Sequence, residues 1–290
     1  TSSRVVVYPN GRNLSATWQD TDHIKLFFVQ NQTVVEGEET PIFNRSSNQK
    51  EADFKINIPQ GINPYQSFEV VGFCGVTGNG VNLIDGKILA DLAPIRAQHT
   101  NSRITVPVWF KTTIEAIRAD NAVNFSHLGT YEIVHIKNTS NSEITLGAAF
   151  LKDKGGSDIP SWAHIPYMQG GKVVRPSFNP LTGNVENLLT DETHAGNFLG
   201  TADTKVAPQA NSFALTWYYP KNINLPELEL MVISNDLPNG HAISTNSKAA
   251  KEYSLETERA YHAYGVWDGA TLTMTESDYE VGEAPSITLT

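Results

Sequence analysis

The chain has 290 residues, of which 40% are hydrophobic and 18% charged, and it carries a formal net charge of -10 at pH 7. Binding to nucleic acid or anionic lipid needs clustered Lys and Arg, which this acidic chain lacks. No apolar run approaches the ~20 residues that span a bilayer. The only cysteine, Cys74, excludes an internal disulfide and a site with several thiolates, and its apolar neighbours predict a buried side chain.

The first polar cluster lies in the stretch "TWQDTDHIKLFF". Asp20 and Asp22 have the spacing of two calcium-loop ligands, but the Gly and the bidentate Glu of such a loop do not follow. We therefore predict a solvated turn at this point. The alternation of Ile24, Leu26 and Phe28 predicts a half-buried strand directly after it.

Three glutamates follow in "VVEGEETPIF": Glu36, Glu38 and Glu39. Paired carboxylates carry the chemistry of glycosidases, in which an apolar pocket raises the pKa of one of the two. Nothing nearby in the sequence supplies such a pocket. The three side chains are therefore predicted to be solvated.

Two histidines, His127 and His135, are eight residues apart in "HLGTYEIVH". A continuous strand at ~3.3 Å per residue separates them by about 26 Å. They share a metal ion only if the strand is broken, and we interpret them as partly buried or edge residues that hydrogen-bond to the backbone.

A charged segment with two glycines and a proline, "LKDKGGSDIPSW" at 151–162, separates two runs of predicted strands. It predicts two β-rich domains, at 1–155 and 156–290. Limited proteolysis is expected to cut first around Lys152 to Lys154. No sequence repeat relates the two halves.

Two further stretches of the second half contain candidate binding residues. Trp162 and Tyr167, in "SWAHIPYMQ", are candidates for an aromatic platform that stacks on sugar, although core packing between the domains is the preferred interpretation. In "DETHAG", Asp191, Glu192 and His194 lie within reach of one cation, but the surrounding loop, rich in Asn and Thr, favours a turn.

Alternating apolar residues predict more half-buried strands in the second half, at Phe213, Leu215, Trp217 and Tyr219 and at Leu228, Leu230 and Val232. Helical spacing is limited to "TTIEAIRA" at 112–119 and "NSKAAKEY" at 246–253. Asp268-Gly269 predicts a two-residue hairpin turn, in which Trp267 faces Ala270 and Gly265 lies beside Leu272. The fold class is therefore all-β with minor short helices.

The chain contains no nucleophile elbow, P-loop, dinucleotide fingerprint or zinc-binding HExxH. No candidate site combines a nucleophile or an acid–base pair with surroundings that would tune it. We predict that the protein is not an enzyme, and we assign no catalytic residue, no metal ligand and no cofactor.

Three stretches of the first half carry a family resemblance: "RNLSATWQDTDHIKLFF", "ADFKINIPQGINPYQSFEVVGF" and "FSHLGTYEIVHIKNTSNSEITL". They resemble the N-terminal domain of the Bacteroidetes fimbrillin superfamily, the major and minor fimbrial subunits and their fimbrillin-like relatives. The usual opening of that family is occupied here by Arg12, Trp18, Asp22, Ile24 and Phe28. "ALTWYYPKNINLPELELMVI" and "ERAYHAYGVWDGATLTM" resemble its C-terminal domain. The chain departs from the family at "TDH" and at "VGFCGVTG", as a divergent member does.

The resemblance implies two tandem transthyretin-like β-sandwich domains and a structural or adhesive subunit of a bacterial surface fimbria, or pilus. It implies export as a lipoprotein with a lipid anchor in the precursor, and an extracellular location at the cell outer membrane. The implied partners are other fimbrial subunits, together with receptors or glycans on host or bacterial surfaces. The subunit would assemble by β-strand exchange or act as a tip or anchor adhesin in cell adhesion.

Two other functions stay open at this point. A surface glycan-binding lipoprotein would expose an aromatic residue such as Trp162 or Trp109 beside polar groups. A hydrolase would need two carboxylates that converge in a cleft.

The two ends of the chain bear on assembly. Arg4 and Arg12 flank the β-branched run at 5–7, and in fimbrial relatives a protease cut after an Arg removes an N-terminal strand. In the tail "EVGEAPSITLT", Ile287 and Leu289 alternate as a donated strand would. The alternative is that both ends complete sheets of their own subunit.

Overall fold

The computed structural model describes residues 5–10, 13–97, 104–190, 204–275, 280–283 and 287–289. Within these ranges the chain forms 28 strands, β1 to β28, and one helix, α1 (Ile114–Asp120). The predicted all-β class is confirmed. The described part of the chain contains no helix with the length and apolarity to cross a bilayer.

The first fourteen strands are, in order from β1, Val6–Asn10, Asn13–Thr17, His23–Gln30, Thr33–Glu36, Thr40–Pro41, Glu51–Ala52, Glu69–Cys74, Val81–Ile84, Lys87–Asp91, Ile95–Ala97, Ile104–Thr105, Val108–Thr113, Val123–His127 and Thr130–Asn138. The next fourteen are, in order from β15, Ile144–Leu146, Ala148–Asp153, Ala163–His164, Tyr167–Gln169, Lys172–Asn179, Asn184–Thr190, Thr204–Val206, Asn211–Pro220, Leu228–Ile233, His241–Ile243, Arg259–Trp267, Leu272–Met274, Glu280–Glu283 and Ile287–Leu289.

The largest sheet has the strand order β4-β3-β7-β12-β13-β28-β6 and forms the first core. Ile24, Leu26 and Phe28 of β3 are buried, as their alternation predicts. Deeper in this core the ring of Phe125 makes edge contacts with Trp18 at 5.3 Å and with Phe110 at 4.9 Å, measured between ring centroids. Such edge-to-face pairs add to the stabilisation that burial of the rings provides.

The helix α1 directly follows β12 and contacts it. The Oγ1 of Thr113 accepts a hydrogen bond from the backbone N–H of Ala116 at 3.3 Å and so caps the first turn. Asn121 ends the helix in the left-handed conformation at φ 50°, and Ile114 is its buried residue. The prediction of a short helix at 112–119 is confirmed.

A second sheet, of order β10-β22-β14-β25-β26, separates the first core from a second one. On β22, Leu215 and Trp217 belong to the first core, and Ala214 and Tyr218 belong to the second. The same change between neighbouring residues occurs on β14, because successive side chains of a strand point to opposite faces. We call this sheet the central sheet, since each of its faces contributes to one core.

A third sheet, of order β18-β19-β9-β8 with β20 beside β19, joins strands from the two halves of the chain. The register of β19 places Phe178 opposite Ala90 of β9. On β14 the buried side chains change from the first core to the second between Ile133 and Val134. The domain division near residue 156 stays a prediction.

The C-terminal hairpin differs from its predicted form. Trp267 pairs with Leu272 and Gly265 with Met274, so the connection spans four residues, 268–271. The carboxylate of Asp268 accepts hydrogen bonds from the backbone N–H groups of Ala270 and Thr271, at 2.8 and 2.7 Å. The predicted two-residue turn is wrong, because this side chain organises a wider loop. The shift is two residues, so every side chain keeps its predicted face.

One further expectation is wrong, and another is narrowed. Residues 246–253 are not helical, because the backbone of Lys248 pairs with Leu228 and that of Lys251 with Leu225. Lys152 is buried in β16 and its Nζ lies 3.1 Å from Oε1 of Glu229, so of the predicted cleavage region only its C-terminal part is exposed, and the order of proteolysis stays a prediction. The exposed turn begins at Lys154.

The last described strand, β28, returns to the first sheet. It pairs antiparallel with β13, where Leu289 lies opposite Val123, and parallel with β6, where it lies opposite Ala52. The chain thus forms most of the second core and then re-enters the sheet of the first.

Candidate functional site

The two aspartates of the first turn lie in different surroundings. Asp22 is fully buried, and its Oδ2 accepts a hydrogen bond from the backbone N–H of Gln19 at 2.8 Å. Asp20 is exposed, with Oδ1 2.5 Å from a guanidinium nitrogen of Arg45. The turn is confirmed by the hydrogen bond from the N–H of Asp22 to the carbonyl of Gln19. The prediction that it is solvated is wrong for Asp22, whose carboxylate instead organises the turn.

The three glutamates of the following loop are exposed, as predicted. Oε1 of Glu36 forms an ion pair with Nζ of Lys25 at 2.8 Å. Glu39 borders a cavity of about 250 Å³ that is also lined by His23 and Cys74. Cys74 is buried, as predicted.

The two histidines lie on separate strands, because residues 128–129 interrupt the extended segment. Nδ1 of His127 lies 2.5 Å from the hydroxyl of Tyr131. His135 stacks on Tyr264 with ring centroids 4.6 Å apart, and its Nε2 lies 2.9 Å from Nδ1 of His262. Both histidines therefore have side-chain partners, and the predicted backbone partners stay a prediction.

Within the described ranges, no group of three or more His, Cys, Asp or Glu side chains is placed to hold a metal ion. Asp191, Glu192 and His194 lie outside the described residues.

The proposed aromatic platform is not formed by either tryptophan. Trp162 is fully buried in the second core, where its Nε1 donates to the hydroxyl of Tyr218 at 3.1 Å. Trp109 is partly covered by Phe178, whose ring centroid lies 5.0 Å away, and it stacks on Phe73. The preferred interpretation of Trp162 as a core residue is confirmed.

Tyr167 has a different position, at the wall of a groove of about 650 Å³ beside β18. Its side chain is 45% exposed, and those of Met168 and Ile159, which also line the groove, are 52% and 48% exposed. Ile165, Pro166 and Pro176 complete the apolar part of the lining. Large apolar side chains with this exposure, collected in one concave surface, are typical of a binding site.

Three polar side chains line the same groove: His164, Asn187 and Lys221. His164 lies on β17, opposite Tyr219 of the central sheet, with 5.9 Å between the ring centroids. Burial, and then the charge of Lys221, lower the pKa of His164 to about 4. The imidazole is therefore neutral at pH 7, and in that form one ring nitrogen donates and the other accepts hydrogen bonds.

The polar groups define what the groove can do chemically. Lys221 forms no ion pair with a described carboxylate, and no Asp or Glu is among the described residues of the lining. The lining thus offers one positive charge, two neutral hydrogen-bonding groups and apolar walls. This combination fits binding of a ligand better than acid–base catalysis, which needs a group whose pKa is close to the working pH.

Sequence reasoning found one residue of this groove, Tyr167, and missed its polar groups. His164, Asn187 and Lys221 come from three different strands or strand ends. No local spacing relates residues that only the sheets bring together.

No family model and no curated protein matches the chain. Solved structures similar to it include a candidate cell adhesion protein from Bacteroides ovatus, at 14% identity over 94% of this chain and 92% of that chain, with a TM-score of 0.47. A second candidate cell adhesion protein, from Bacteroides uniformis, is 12% identical over 97% of this chain and 98% of that chain, with a TM-score of 0.44.

The tip fimbrial protein Mfa3 from Porphyromonas gingivalis, with a C-terminal truncation, is 8% identical over 90% of this chain and 93% of that chain, with a TM-score of 0.38. These names are consistent with the fimbrillin-like resemblance of the sequence. At TM-scores below 0.5, the function of this chain has to be argued from its own residues.

Proposed function

We propose that the protein is a structural and adhesive subunit of a bacterial surface fimbria, displayed outside the outer membrane and exported as a lipoprotein. Its partners are other fimbrial subunits, and its work is strand pairing and surface contact. Catalysis is not part of the proposal, since the groove combines no acid–base pair with a tuned environment. The observation that carries it is the return of the C-terminal strand β28 to the sheet of the first core.

Strand exchange is supported by the way that β28 is held. Its backbone pairs with three residues of β13 and two of β6. A short strand held by so few backbone partners can leave its own sheet and pair with a neighbouring subunit, because the hydrogen bonds that it gives up are replaced by backbone hydrogen bonds at the accepting edge.

At the other end of the chain, the position of β1 supplies the site that would accept a donated strand. β1 pairs with β2 and with β11, and Val7 of β1 and the preceding Val5 are fully buried in the first core. Removal of β1 would uncover the apolar space that these two side chains fill and leave unpaired edges on β2 and β11, which a strand from a neighbouring subunit can fill. The predicted cut sites, Arg4 and Arg12, lie outside the described residues.

The proposal is tested with four forms of the chain: intact or trimmed after Arg12, each with or without residues 284–290. We expect only the trimmed form that keeps its tail to form oligomers, as measured by size-exclusion chromatography with light scattering and by electron microscopy. A peptide of sequence "APSITLT" should bind the trimmed form without a tail. The same peptide with Thr288→Pro should not, because proline lacks the N–H that pairing needs.

Assembly that is unaltered by loss of the tail would contradict strand donation. Unfolding of the untrimmed chain on loss of residues 284–290 would show that β28 serves its own subunit. Either result would leave a terminal or anchoring subunit as the better description.

A further inference from the structure

We propose that the groove beside β18 binds an acidic pyranose, a sugar ring that carries one carboxylate. This ligand class deepens the adhesive role and rests on the proposed function. The proposal stands on the composition of the groove: a lysine with no described carboxylate partner, a half-exposed tyrosine and two neutral hydrogen-bonding groups.

Lys221 indicates that the ligand carries one negative charge. The protein has a net charge of -10, and other lysines, such as Lys87 and Lys154, form ion pairs with Glu186 and Glu227. Lys221 instead contributes its charge to a mostly apolar groove. A single ammonium group matches one carboxylate, whereas phosphate recognition usually uses several cations or the two-pronged contact of an Arg.

The apolar walls of the groove indicate that the ligand contains a pyranose ring. A pyranose has an apolar face of C–H groups and a rim of hydroxyls. Tyr167 offers a half-exposed aromatic face to the first, with Met168 and Ile159 beside it. The volume of about 650 Å³ is within the range of sites that hold small molecules.

The hydroxyls of the ring match the two neutral polar groups. Neutral His164 donates at one nitrogen and accepts at the other, and the amide of Asn187 does the same through two different atoms. Sugar hydroxyls are both donors and acceptors, so such groups suit them better than a second charge would.

An extended peptide fits the same groove less well. Peptides that bind along a sheet edge need backbone donors on the edge strand. The strand β18 has only three residues, and Pro166 directly before it has no N–H to offer. The edge is thus a poor template for an added strand.

The probe for this proposal is methyl β-glucuronide, with methyl β-glucoside as its neutral counterpart and a blocked peptide of alternating tyrosine and aspartate as the peptide arm. Binding is measured by ligand-observed NMR titration of the intact chain. We expect the glucuronide to bind at least about tenfold more tightly than the glucoside, which is the size of one charge-assisted hydrogen bond.

Lys221→Gln should remove this difference, and Tyr167→Ala should weaken both sugars about fivefold, the scale of one aromatic contact. The matched control is Lys137→Gln, at an exposed lysine of β14 that also forms no described ion pair, and it should bind like the parent chain. Thermal unfolding of each variant checks that the fold is intact.

Absence of glucuronide binding, equal binding of the two sugars, or an unaltered preference in Lys221→Gln would overturn the proposal. Tighter binding of the peptide than of the glucuronide would also overturn it, in favour of a protein partner. Lys221→Gln should form oligomers normally. A failure of the sugar-binding proposal therefore appears in the binding titration, whereas a failure of the fimbrial proposal appears in oligomer formation.

Discussion

The two faces of the central sheet are both buried, but they are built differently. The face toward the first core is apolar around Trp217, whose Nε1 has no hydrogen-bond partner among the described residues. The face toward the second core contains Glu132, whose carboxylate accepts from the N–H of Leu151 at 3.2 Å and from the hydroxyl of Tyr218 at 3.5 Å. Tyr218 in turn accepts from Nε1 of Trp162 at 3.1 Å.

The difference separates two sources of stability. On the first face, stabilisation comes from apolar area and close packing, which tolerate small shifts of a side chain. On the second face, a buried carboxylate has lost its hydration and depends on a chain of specific hydrogen bonds. The first face is therefore stabilised mainly by packing, whereas the second also depends on the specific partners of Glu132.

The largest expected effect is that of Trp217→Ala. It removes a fully buried indole from the first face, and we expect the free energy of unfolding to fall by about 3–5 kcal/mol in urea denaturation. Because the sheet serves both cores, fluorescence and far-ultraviolet circular dichroism should report a single shared transition. A loss below about 1 kcal/mol, or two separate transitions, would mean that the faces are energetically independent.

A smaller effect distinguishes the faces directly. Trp162→Phe should cost about 1–3 kcal/mol more than Trp217→Phe, because only the first substitution removes the donor to Tyr218. Both changes remove similar apolar volume from fully buried positions, so each is the control for the other. Equal losses in urea denaturation would show that the polar chain contributes no more than packing.

The smallest expected effect concerns the edge of the central sheet, where His164 lies opposite Tyr219. The pKa of His164 is lowered from 6.5 to about 4 by burial and by Lys221. The unfolded chain therefore binds a proton more readily between these values, so stability is complete above pH 6.5 and falls as the pH decreases toward 4. His164→Gln should flatten this part of the curve of melting temperature against pH. The matched control His241→Gln, at an exposed site, should not.

Much of the strand pattern was predictable from local sequence. Ile24, Leu26 and Phe28 alternate and are buried, and the four odd positions of β22 lie on one face as predicted. The even position Tyr218 is buried too, because the strand is covered on both faces. The run "ALTWYY", interrupted only by Thr216, carries the signal for this, since strands covered on both faces read as nearly continuous apolar segments.

The errors share one physical cause, which is that distant backbone and side chains override local preference. Residues 246–253 have helical spacing, but strand partners at Leu225 and Leu228 satisfy their backbone. The hydrogen bond from the N–H of Thr271 to the carboxylate of Asp268 stabilises a wider loop than the Asp-Gly pair predicts. In the groove, only Tyr167 was identified from the sequence, because its polar partners reach it through sheet pairing.

The return of β28 to the first sheet has a mechanical consequence. Tension applied between β1 and β28 would pass through the first core alone, since both strands are attached there. Most of the second core lies in the segment of chain between β13 and β28. Because these two strands pair with each other, that segment bears no load until the hydrogen bonds between them break. The short pairing of β13 with β28 would then yield before the second core is loaded, and the subunit would extend while that core stays intact.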